Sequence, residues 1–121
     1  MTEQQIIETL ATKVMGWEQK NLPNNDAGLP YYAEYWVNEE GLKIKPVNFW
    51  NPFHSLTDAF QVMEKIGANK FNTEIIRRTD GMCFVTFKKV GRAEDKLFEV
   101  YASGETVQKA VCNAAMKVVE M

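Results

Sequence analysis

One imidazole, two thiols and scattered carboxylates are all that this chain offers for bond-making chemistry. His54 is the sole histidine, so a triad or a metal centre would have to be assembled around it alone. A structural or surface histidine is the expectation. Cys83 and Cys112 lie far apart, belong to no CxxC or Cys/His cluster, and each falls within an apolar periodic segment. Two buried free thiols are expected, with a disulfide as the alternative. No pair of carboxylates has neighbours that would split its acidities, and Gly81, Gly91 and Gly104 stand singly, outside any GxGxxG or Walker spacing. A protein that is not an enzyme, with neither metal nor cofactor, is therefore the expectation, and a small enzyme of unknown class ranks third behind binding and assembly roles.

Two other groups of residues could bind without reacting. Arg77, Arg78, Lys88, Lys89, Arg92 and Lys96 face Asp80, Glu94 and Asp95, which gives residues 77–96 a net +3 and leaves −5 for the rest. A hairpin folded at Asp80-Gly81 would set several of these cations near one sheet edge, where Arg77, Arg78, Lys88 and Lys89 could receive a small nucleotide-like anion. The alternative is a solvated hairpin whose charges protect the edge. The acidic remainder would repel extended duplex nucleic acid. Tyr31, Tyr32, Tyr35, Trp36, Phe49, Trp50 and Phe53 form the second group, seven aromatics within 23 residues. A short arm cannot bury them by itself, so they must meet the core, a second subunit of a homo-oligomer or a flat ligand, in that order. Trp36 and Trp50 are the stacking candidates.

A length of 121 residues suits one domain spanning 1–121, large enough to bury a core without staples. With 45% hydrophobic and 25% charged residues, the composition is that of an ordinary globular protein and not of a disordered chain. A net charge of −2 gives no global attraction to nucleic acid or anionic membrane. Met1-Thr2-Glu3-Gln4-Gln5-Ile6-Ile7 is polar and acidic where a secretion signal needs positive charge and then an apolar run, and no stretch reaches membrane-span length. A cytoplasmic location is expected.

The elements that must position these residues are legible in outline. Thr2 and Gln5 have capping-box spacing, and Ile6 or Ile7, Leu10, Ala11 and Val14 follow at helical period, which predicts a helix over about 3–15 that Gly16 ends. Residues 18–50 read as a loop-rich aromatic arm: a long Asn- and Pro-rich connection over 18–30, then one or two short strands around an Asn38-Glu39-Glu40-Gly41 turn. Pro46 demotes the second of these to an edge.

Trp50-Asn51-Pro52-Phe53 leads into the sharpest signal, a helix capped by Ser55 with Asp58 in its first turn. Leu56, Ala59, Phe60, Met63 and Ile66 are expected to line its apolar face, Asp58, Gln61, Glu64 and Lys65 the opposite one, with Gly67 as the stop. From Phe71 the period changes to two, and strands over 71–78, 82–89 and 97–102 make an antiparallel meander. Cys83, Val85 and Phe87 share one of its faces and Phe84 the other, so partial cover on both sides is expected. Val107, Ala110, Val111, Ala114, Ala115 and Val118 form the stripe of a closing helix whose alanines allow a close approach.

Three runs together resemble a known family. Leu10-Ala11-Thr12-Lys13-Val14-Met15-Gly16-Trp17, the Trp50 and Pro52 ahead of Thr57-Asp58-Ala59-Phe60-Gln61-Val62-Met63-Glu64-Lys65, and Ala110-Val111-Cys112-Asn113-Ala114-Ala115 are similar, in order, to the phage ABA sandwich domain family. The resemblance implies a phage or prophage origin and an α+β helix-sheet-helix sandwich around a short antiparallel meander of three to four strands. It carries over no catalytic residues. By analogy, an accessory or anti-defence role directed at a host protein or a small nucleotide-like ligand is expected, with a ligand-free oligomer built through the aromatic arm as the rival.

Overall fold

The structure, a computed structural model, describes residues 1–24, 31–89 and 99–120. Thr2 opens helix α1 (Glu3–Thr9) with the expected reciprocal cap: its hydroxyl accepts from the Gln5 amide, and the Gln5 side chain accepts from the Thr2 amide. A π-helical segment (Leu10–Val14) continues the helix and widens it by one residue per turn, burying Leu10 and Ala11. Gly16, at φ +74°, ends it, and the Trp17 amide closes back on the Ala11 carbonyl.

Three strands, β1 (Glu18–Asn24), β2 (Tyr31–Val37) and β3 (Lys43–Pro46), then form an antiparallel sheet in chain order. The expected loop over 18–30 is thus corrected in its first part, and 25–30 lies outside the described residues. The reason is positional. β1 is an edge strand, so it tolerates Pro23 and exposes Glu18, Gln19, Lys20 and Asn21 without needing an apolar alternation. The apolar content of the sheet is carried by its central strand, where Tyr35, Trp36 and Val37 are all buried.

After the 3₁₀ turn Val47–Phe49 comes α2 (Leu56–Gly67), capped by Ser55 as expected. Its buried face is rotated from the expected one: Asp58, Ala59, Val62 and Ile66 face inward, while Leu56 and Phe60 are exposed. Asp58 can be buried because two partners reach it from outside the helix. Lys45 Nζ donates to Oδ1 at 3.1 Å and the Asn51 amide donates to Oδ2 at 2.9 Å. Gly67 is the last helical residue, not the stop, and the left-handed conformation falls on Lys70 (φ 69°).

The second sheet, also a three-stranded antiparallel meander, orders β4 (Phe71–Arg77), β5 (Cys83–Lys89) and β6 (Glu99–Gly104). The β2–β3 and β4–β5 hairpins share one backbone turn, in which the Gly41 and Gly81 amides bond the Asn38 and Arg78 carbonyls and the two glycines, at φ +84° and +92°, supply the left-handed step. The side-chain acceptor differs: Asn38 at the first position takes the Glu40 amide, and Asp80 at the third takes the Met82 amide. The last helix, α3 (Val107–Val119), capped by Thr106, packs on β5 and β6 and on α2. Ala110, Ala114 and Ala115 are fully buried there.

The packed face of this second sheet carries Cys83, Val85, Phe87 and Ala102, all buried. The other face is covered only in part: Phe84 and Thr86 are half-buried, while Ile76 and Tyr101 stand exposed. One core joins the helices to residues of both sheets, and within it Trp17 meets Trp50 edge to face, with ring centroids 5.0 Å apart.

Candidate recognition groove

The four cations expected to converge do not. The register pairs Arg77 with Cys83 beside the turn, and Lys88 and Lys89 with Asn72 and Phe71 at the other end of the ladder. Six residue steps separate Arg77 from Phe71, so the two pairs lie about 20 Å apart along the hairpin. Closeness in sequence across a turn misled here, because the tight turn at Asp80-Gly81 forces the ladder to open away from the arginines. Arg78 is further engaged by Asp80 at 3.1 Å and by the Phe84 ring, and Lys89 lies 5.9 Å from the Phe71 ring centre. Arg92, Glu94, Asp95 and Lys96 lie outside the described residues.

Both tryptophans proposed for stacking are 1% exposed, which corrects that expectation. Trp50 is core: its indole N–H donates to Gln61 Oε1 at 3.0 Å and its ring meets Trp17. Tyr35 and Phe53 are buried as well, while Tyr32 and Phe49 remain open to solvent at 67% and 72%. The aromatic arm thus spends most of its rings internally, in line with the first-ranked of its three outlets.

What the structure assembles lies between α1 and the first sheet. Along β2, Tyr32, Glu34 and Trp36 alternate onto one face, and β1 sets Gln19 opposite Trp36 on it. Two cavities open over this face, of about 490 Å³ and about 500 Å³, and they share Glu8 of α1 and Gln19 of β1 in their walls. Trp36 lines the first together with Gln5, Thr9 and Thr12, and its indole N–H has no partner among the described residues. Glu34, Asn48 and exposed Phe49 line the second.

Each carboxylate is steadied by a glutamine amide: Gln4 Nε2 donates to Glu8 at 3.2 Å and Gln19 Nε2 donates to Glu34 at 3.4 Å. Among the described residues neither wall includes a lysine or arginine. The groove is therefore acidic, rich in amides, and rimmed by one exposed ring. Sequence reasoning missed it because Glu8, Gln19 and Glu34 sit on three elements, and nothing in their spacing connects them.

The groups considered for chemistry sit elsewhere. His54, exposed, lies 3.2 Å from Glu3 and ties the turn before α2 to the start of α1. Both cysteines are free and buried. Burial, reinforced by the charge of Glu3, pushes the Cys112 thiol up to about 12. The folded state thus holds the proton that an unfolded thiol loses near pH 9. Stability from this group is complete below that pH and falls as the pH rises toward about 12. Cys112→Ala is expected to flatten the decline of melting temperature over this alkaline window, and the native protein should leave Cys112 unlabelled by a thiol reagent until it is denatured. Rapid labelling of native protein at neutral pH would contradict this.

Among the described residues no helix is long and apolar enough to cross a membrane. A family model, the phage ABA sandwich domain, matches residues 8–116 of the chain. No curated protein and no solved structure matches it.

Proposed function

The chain belongs to the phage ABA sandwich domain family, and within that family we propose that it acts by binding, as an accessory protein that holds a cationic segment of a host polypeptide in the groove between α1 and the first sheet. The observation that carries this reading is the shared wall of the two cavities, where Glu8 and Gln19 join Glu34 and exposed Phe49. Two anchored carboxylates attract arginine or lysine, the amides suit backbone groups of an extended peptide, and Phe49 offers a ring face to a guanidinium. Such a role suits the bacterial cytoplasm and an anti-defence task, and it needs no turnover. A nucleotide-like ligand is disfavoured, because its phosphates would meet carboxylates in the groove and divided cations on the hairpin.

Titration calorimetry with a short arginine- and lysine-containing peptide tests this. Binding is expected to weaken with added salt and to fall about a hundredfold in the Glu8→Lys, Glu34→Lys double variant, two charge reversals at a few kcal/mol in total. Equal binding by the variant, or no binding by the wild type, would remove the proposal.

A further inference from the structure

The two edges of the second sheet are finished differently. On β6 the carbonyls of Tyr101 and Ser103 are taken by side chains of α3, Lys117 Nζ at 2.6 Å and Asn113 Nδ2 at 3.1 Å, which closes that edge. No strand among the described residues pairs with the outer side of β4. Ile75 and Ile76 at its centre are 41% and 55% exposed, one on each face. An apolar, uncovered edge strand is a template for another strand.

Its hydrogen-bonding pattern can be worked out. The Arg78 amide bonds the Met82 carbonyl at the turn, so alternate residues Ile76, Glu74 and Asn72 turn their amides toward β5. Those of Thr73, Ile75 and Arg77 point outward. We propose that a second copy of this chain docks here, β4 against β4 and antiparallel, fusing two three-stranded sheets into one of six strands about a two-fold axis at Ile76.

The charges select that partner and that register. With Ile76 opposite Ile76, Ile75 and Arg77 exchange backbone hydrogen bonds with their counterparts, and Glu74 of each copy faces Arg78 of the other. Both side chains belong to the open face of the sheet, where the Arg78 guanidinium already lies over Phe84. A centre shifted by two residues, to Glu74, would set like charges against each other. The pairing is isologous and closed, so it stops at two copies, because β6 offers no free edge.

Sedimentation over a dilution series tests the idea, with thermal melts to confirm that each variant is folded. The wild type should pass from one copy to two as concentration rises. Glu74→Arg alone and Arg78→Glu alone should each raise the dissociation constant about tenfold or more, since each creates two like-charge contacts, and the two together should restore dimerisation. Amide exchange on the wild type gives a readout independent of the variants: Ile75 and Arg77 should be protected at high concentration and exchange freely on dilution. A folded chain that stays single at every concentration, or a dimer indifferent to both reversals, overturns the proposal. The groove lies on the other sheet, so peptide binding is expected to survive these substitutions.

Discussion

Replacing Gly104 by alanine is expected to lower the unfolding free energy by about 2–3 kcal/mol, at the upper end of what an added methyl costs in a packed interface. Gly104 ends β6 opposite Cys83, under the first turn of α3. A Cβ there would lie 2.7 Å from the Ala110 amide nitrogen, 2.9 Å from Lys109 Cβ and 3.0 Å from the Lys109 carbonyl carbon. Two of these atoms are backbone, so no rotamer change relieves the contact and the helix must lift from the sheet. Lifting it would disturb the carbonyls of Tyr101 and Ser103, which Lys117 and Asn113 now satisfy. Urea denaturation measures the loss; a change below about 0.5 kcal/mol, the usual range for an inert surface site, would show that α3 slides freely.

Asp58→Ala is expected to cost about 2–3 kcal/mol, from the same denaturation experiment. The carboxylate is 1% exposed and accepts from both Lys45 and the Asn51 amide, so its removal strips two donors of their acceptor. Lys45 is 39% exposed in its side chain and regains water, which keeps the loss below that of a fully buried pair. The Asn51 amide has less recourse, and the first turn of α2 loses a negative charge at its positive end. Asp58→Asn should cost less, about 1–2 kcal/mol, because the amide oxygen can still accept one bond. In a double-mutant cycle with Lys45→Met, a coupling of about 1 kcal/mol is expected. Near-perfect additivity would mean that the ion pair is incidental.

Local chemistry was legible in the sequence, and long-range partnership was not. The Thr2–Gln5 cap, the Ser55 cap, the stop at Gly16 and the turns at Gly41 and Gly81 each depend on residues within a few positions, and each stands where the pattern puts it. The packed face of β5 and the alanine seam of α3 follow from periods of two and 3.6. The buried face of α2 differs from the periodic one because Asp58 reads as polar until Lys45 and Asn51, brought by the chain ahead of the helix, offset its cost of burial. β1 reads as a loop in the sequence because an exposed edge strand carries no apolar alternation. The cations of the basic hairpin do not converge, since Arg77 and Arg78 sit at the turn while Lys88 and Lys89 lie at the far end of the ladder. The groove gave no sequence signal, its carboxylates being 26 positions apart on a helix and a strand.

Backbone amide chemical-shift mapping with two ligands in parallel, a short arginine- and lysine-containing peptide and a nucleoside triphosphate, tests the recognition surface most directly. The peptide should move the resonances of Gln5, Glu8, Gln19 and Glu34 while the nucleotide leaves them in place. Shifts gathered by the nucleotide at Arg77 and Arg78 or at Lys88 and Lys89, with the α1 and β1–β2 amides indifferent to the peptide, would contradict it.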